Sequence, residues 1–187
     1  MEREYPGFHG KLVDRFGVAG DALYVFVACL LALGISGLAA YFFREPLFFP
    51  SLGPTAFLLF ETPMAATSSP RNTLVGHLVA ILAGALSLAL FGLLDHPSVL
   101  QEGVTLARVG AGALSVALTG AVLLLLRSSH PPAGATTLIV SLGFLQMSRE
   151  MVELMAGVVL LTVAGWAINR LLGVPVPVWA AEAERLR

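Results

Sequence analysis

The chain has 187 residues, 57% of them hydrophobic and only 12% charged, with a mean hydropathy of +0.84 and a formal charge of −1. Soluble domains are about 45–50% apolar and about 25% charged, so this composition excludes a water-soluble globule, and the shortage of charge excludes a disordered chain. The near-neutral charge excludes a nucleic-acid partner, and the single Cys29 excludes an intrachain disulfide.

Residues 1–20 mix Glu2, Glu4 and Asp14 with Arg3, Lys11 and Arg15 before any apolar run, unlike a cleaved signal peptide, and read as a cytoplasmic segment. Crossing a hydrocarbon layer about 30 Å thick takes about 20 uncharged helical residues. Asp21 to Arg44 encloses 22 and predicts the first spanning helix. Glu45 to Glu61 encloses 15 but carries Pro46, Pro50 and Pro54, so only a short helix starting near Pro54 fits. Arg71 to Asp95 encloses 23 residues and Arg108 to Arg127 encloses 18, the latter pattern beginning near Val104; each predicts a span. Pro131 and Pro132 confine the next helix to 133–147, and Glu153 to Arg170 gives a last span if both charges sit at interfaces. The expected fold is an all-α polytopic membrane protein with four long transmembrane helices and two short proline-broken helices, either re-entrant or half-crossing. One transmembrane domain covers 21–173, and 174–187 form a cytoplasmic tail.

A shift of 81 residues lays one half of the chain on the other, about 21–100 on 102–173. Pro50-Ser51-Leu52-Gly53-Pro54-Thr55 falls on Pro131-Pro132-Ala133-Gly134-Ala135-Thr136, Gly76 on Gly157 and Gly84 on Gly165. Paired interrupted helices of this kind mark the substrate site in transporters built from repeats. With four spans the basic residues divide seven to four, and with six spans eight to three. Either division puts both termini in the cytoplasm of a bacterial-type inner membrane. Four spans would make the halves parallel repeats, and six would make them inverted ones.

The densest polar cluster is Arg127-Ser128-Ser129-His130-Pro131-Pro132-Ala133-Gly134-Ala135-Thr136-Thr137. A helix that starts after two prolines should present unpaired amides and a partial positive charge. Gly134 would allow close approach, and Thr136 and Thr137 would add hydroxyl donors, which together suit a small anion. Gly53 and Thr55 offer the same parts in the mirror cluster. His130 either donates to the anion and couples it to protons or simply braces the proline turn. His77 faces either a partner helix or the cavity. Arg71 either draws anions inward or anchors at the headgroups, and Asn72 can cap its helix. Glu45 and Glu61 could pair with Arg44 and Arg71, while His9 and His96 read as incidental. No histidine pair has metal-ligand spacing, no cofactor is implied, and no catalytic motif supports an enzyme.

The string His130-Pro131-Pro132-Ala133-Gly134-Ala135-Thr136 resembles the HPP family of integral membrane proteins. So do Pro50, Gly53 and the run Thr55 to Phe60, together with Pro70-Arg71-Asn72 and Gly76-His77. The likeness covers roughly 20–173. Departures fall at Pro54-Thr55, where members carry Ala-Ser, and at Ser69, where they carry Gln. The resemblance implies a compact multi-helix membrane domain, with members linked to nitrite transport in chloroplasts and cyanobacteria. The expected function is a carrier or channel for a small monovalent anion, nitrite foremost, acting as a homo-oligomer in the lipid bilayer. Its substrate would meet Gly53, Thr55, Arg71, Asn72, His77, His130, Gly134, Thr136 and Thr137. The alternative is a non-transporting scaffold that binds a regulatory partner. A polar cavity between the two proline segments would favour transport, and a dry, filled interior the scaffold.

Overall fold

The computed structural model describes residues 7–145 and 149–181. Within them the helices are α1 (Gly7–Phe16), α2 (Val18–Phe43), α3 (Leu52–Glu61), α4 (Pro70–Leu90), α5 (Val99–Glu102), α6 (Leu106–Leu125), α7 (Ala133–Ser141) and α8 (Arg149–Leu171), with a 3-10 turn at Ala66–Ser68. The α2, α4, α6 and α8 helices are long and apolar enough to cross a membrane. At 1.5 Å per residue they measure about 30–39 Å.

Local chemistry sets the ends of these elements. Gly17, at φ 56°, separates α1 from α2, and Arg44, also left-handed, ends α2. Ser69 caps α4 by accepting the Asn72 amide, with Pro70 in the first turn, so the cap is Ser69 and not Asn72 as expected. Thr105 caps α6 in the same way through the Arg108 amide. The α7 helix stops at Ser141, short of the expected 147, because Leu142 closes the turn and Gly143 turns left-handed at φ 78°. Met147 lies outside the described residues.

Contacts at the helix ends sort the molecule into two faces. On the first face Phe8 donates its amide to Leu172 O, the Arg71 amide bonds Trp179 O, and the Arg71 guanidinium bonds Leu126 O and Arg127 O. Tyr24 donates to Asn169, whose amide donates to Leu59 O near the end of α3. On the second face Arg149 clasps Glu45 at 2.6 Å, the Val99 amide bonds Leu142 O, and Arg108 bonds Ser141 O and Pro97 O. The first face therefore holds the starts of α2 and α4 and the ends of α3, α6 and α8, and the second face holds their other ends. Residues 44–51 with α3 run from the second face to the first, and residues 126–132 with α7 run back from the first to the second.

Each short helix thus lies on a segment that runs from one face to the other. Each is the second part of a segment whose first part is a non-helical leg, 44–51 with Pro46 and Pro50 and 126–132 with Pro131 and Pro132, and a non-helical residue can advance further than a helical one. Between the two faces the described path runs across six times, three in each half, so the halves are inverted relative to one another. Packing obeys the same offset of 81: a Cβ on Gly84 of α4 would lie 2.7 Å from Val140 Cβ of α7, and one on Gly165 of α8 would lie 2.8 Å from Leu59 Cδ1 of α3. The α4 and α8 helices are each glycine-notched to receive the short helix of the other half.

Several ion pairs differ from expectation. Glu45 binds Arg149 across 104 residues and not its neighbour Arg44, which is occupied in ending α2. The Arg149 hydrogen bond holds the exposed Glu45 carboxyl below its ordinary range. Any stability this pair adds is present above about pH 4 and is lost as pH falls through the lowered value. His9 is fully buried, bonds Asp21 at 2.8 Å and stacks on Tyr24 at 3.8 Å, fixing α1 to the first face.

The glycine notches predict a clear contrast. A Cβ at Gly157 would meet the Leu47 carbonyl oxygen at 2.5 Å, whereas one at Gly34 would meet nothing within 4 Å. Gly157→Val should cost about 1–3 kcal/mol and visibly lower Tm in detergent, and Gly34→Ala should not. Equal melting curves for the two variants would refute the notch.

Candidate functional site

The two proline-entered helices converge on one side chain. His77, one turn beyond Thr73 on α4, lies 3.0 Å through Nε2 from Thr55 Oγ1 of α3 and 2.6 Å through Nδ1 from Thr136 Oγ1 of α7. His130, at the end of the second leg, places Nε2 3.3 Å from His77 Nε2, and its Nδ1 lies 2.8 Å from Thr67 O. The two rings meet edge to face at 5.0 Å. Gly76 makes this approach possible, since a Cβ there would lie 2.7 Å from His130 Cβ. All four side chains are buried to within 1% of complete.

Hydrogen-bond chemistry orders the protons along this chain. The Thr67 carbonyl only accepts, so His130 carries its hydrogen on Nδ1 and accepts on Nε2. His77 then donates from Nε2 and accepts at Nδ1 from the Thr136 hydroxyl. Thr55 spends its own hydrogen on Ser51 O at 3.0 Å and turns a lone pair to His77. One proton lies between the facing Nε2 atoms. The bracing and exchange roles considered for His130 are thereby compatible in one residue, because one nitrogen holds the turn and the other faces a titratable partner.

The amides of the short-helix starts do not stand open. Leu52 and Gly53 donate to Phe49 O and Pro50 O, and Ala133, Gly134 and Ala135 donate to His130 O, Pro131 O and Pro132 O. The expectation of unpaired amides is corrected: each proline turn aims its carbonyls at the following N–H groups and satisfies them in 3-10 fashion. The polar capacity of the site sits in side chains instead. Ser51, Thr73 and Thr137 are each fully buried, and their hydroxyls have no hydrogen-bond partner. Leaving a buried hydroxyl unbonded costs about 1–3 kcal/mol.

The remaining expected positions scatter. Gly134 lines a groove of about 270 Å³ with Thr119, Ser129, His130 and Pro131, between α6 and α7. Gly53 is half-buried with open space beside it. The Arg71 guanidinium caps the end of α6, and Asn72 donates to Ser129 O, which ties α4 to the second leg. Both sit at the first face. The space directly between the proline segments is an apolar groove of about 290 Å³ lined by Pro54, Phe57, Leu58, Pro131, Pro132 and Ala135.

Sequence reasoning did not single out Thr73, and it set His9 aside. The signal for Thr73 was its position one helical turn before His77. For His9 it was Asp21, a charge opening an apolar span and needing a partner.

The site offers a stability prediction. Thr136→Val removes the donor to His77 Nδ1 and should lower stability by about 1–3 kcal/mol. Thr162→Val, which removes only a local bond to Val158 O on α8, should cost less, and the two Tm shifts in detergent compare them.

Neither a curated protein nor a solved structure matches the chain. The sequence profile described as HPP, transmembrane region, matches residues 17–177, which takes in all six crossings and every residue of the histidine–threonine cluster. A polytopic helical domain with its His-Pro-Pro turn folded onto a second histidine thus belongs to the HPP transmembrane family.

Proposed function

We propose that this protein is a membrane carrier or channel for a small monovalent anion, with nitrite the foremost substrate. The observation that carries the reading is the convergence of Thr55, His77, Thr136 and His130 at one buried point inside six crossings. Hydroxyl and imidazole donors can replace water around a single small negative charge, and buried ionisable groups inside a membrane domain mark substrate or proton pathways. In the conformation described here the cluster is enclosed by protein. An anion reaches it when the α4 and α7 surfaces part, and inverted repeats supply the means, since one half can rock against the other.

Proton coupling follows from the tautomer chain. A proton taken up at His77 Nδ1 sends the Nε2 hydrogen of His77 across to His130 Nε2, so that His130 becomes the cation and His77, neutral with its hydrogen on Nδ1, donates to Thr136 Oγ1 in place of accepting from it. One proton and one anion would then arrive together, and no net charge would be buried. With six crossings the basic residues of the sequence would divide eight to three in favour of the first face, which supports a cytoplasmic position for that face in a bacterial-type plasma membrane. The lipid-facing surface, including Phe26, Leu30 and Leu38 of α2, leaves room for a homo-oligomer.

The second reading is a membrane scaffold without transport. It is favoured by the apolar groove between the proline segments, which could receive a partner helix.

Flux into proteoliposomes across a panel of nitrite, nitrate, formate and chloride decides between them. Transport predicts nitrite uptake that quickens with an inward proton gradient, and His130→Ala should lose that pH dependence. Unchanged flux in His130→Ala at every pH would refute the histidine's role, and absence of flux for the whole panel would leave the scaffold.

A further inference from the structure

Buried helical hydroxyls in this chain normally bond the carbonyl one turn back. Ser36, Thr55, Ser87, Thr119 and Thr162 all do so. Thr73 and Thr137, equally buried and equally helical, do not, and Ser51 at the start of α3 is also without a partner. A hydroxyl that forgoes the cheapest available bond is held ready for something else.

Their positions along the membrane are ordered. Thr73 precedes His77 by one turn on α4, which runs from the first face to the second, so Thr73 lies on the first-face side of the histidine pair. Ser51 precedes Thr55 on α3, which runs the opposite way, so it lies on the second-face side. Thr137 follows Thr136 on α7, and its carbonyl lies against Gly84, two turns beyond His77. Each faces a different fate under the internal symmetry: the positions 81 residues from Thr73, His77, His130 and Thr137 are Leu154, Val158, Phe49 and Ala56, all buried and all apolar. At these four positions the interface between α4 and α7 is polar and its equivalent between α3 and α8 apolar, the latter keeping Asn169, bonded to Leu59 O, near its first-face end.

We infer that Thr73 on one side of the histidine pair, and Ser51 and Thr137 on the other, are hydroxyl stations of a single buried path on which a small anion exchanges its water before and after meeting His77 and His130. The inference rests on the transport reading and extends it with residues that select for a dehydrated anion. The symmetry-related positions between α3 and α8, Ala56, Leu154 and Val158, offer such an anion no hydroxyl.

Two measurements test it. In proteoliposomes Thr73→Val and Thr137→Val should each cut nitrite flux about tenfold, as expected for one lost hydrogen bond, while Tm stays level or rises because an unbonded buried hydroxyl has been removed. In a Cys29→Ala background, Thr73→Cys and Thr137→Cys should react with a small water-soluble methanethiosulfonate reagent, and Val158→Cys should not. Undiminished flux in the valine variants, with wild-type transport intact, overturns the stations alone. Wild-type protein that moves no anion overturns the anion as occupant, and if the cysteines also stay unlabelled it overturns the water path with it.

Discussion

A polypeptide in hydrocarbon must satisfy every backbone N–H and C=O from within the protein, and the two non-helical legs of this chain meet that demand only because other segments enclose them. Thr67 O is taken by His130, Ser129 O by Asn72, and Leu126 O and Arg127 O by Arg71. Leu47 settles against the notch at Gly157, and His130 against the notch at Gly76. Remove those partners and the legs would have to refold as helix, which their prolines forbid. The position of the histidine pair is thus a by-product of how a non-helical leg is sheltered inside the protein.

The internal duplication divides labour unevenly. The equivalent contacts of Gly84 with Val140 and of Gly165 with Leu59 preserve a common framework, while the residues around it diverge into a polar interface and a more apolar one. Thr55 and Thr136 are the exception, a matched pair that reaches one histidine from opposite sides. Because His77 has no counterpart beyond Val158, the polar centre lies on one side of the pseudo-twofold axis. Arg108, wholly buried at the second face, closes the far end by bonding the last carbonyls around α7, a cation at a helix C-terminus.

Much of this was legible in the chain. Charge-free intervals located the four long helices within a few residues, since lipid excludes charge more strictly than a soluble core does. The prolines located α3 and α7, and the 81-residue shift paired them. Whether those short helices turned back or passed through was not legible, because it depends on contacts such as Val99 with Leu142 that link distant segments. The site was partly legible. His77, His130, Thr55 and Thr136 gather as their shared polarity in an apolar setting suggested, but the occupied amides and the idle hydroxyls at Ser51 and Thr73 depend on rotamer and turn geometry that residue type does not encode.

Opposite-handed insertion of two like halves has a historical corollary. A half-length precursor could have assembled this architecture only as a pair threaded in both directions, which demands an arginine distribution too balanced to choose. Joining the halves covalently removes that demand, since the link fixes which copy points which way and leaves cationic residues free to collect at one surface.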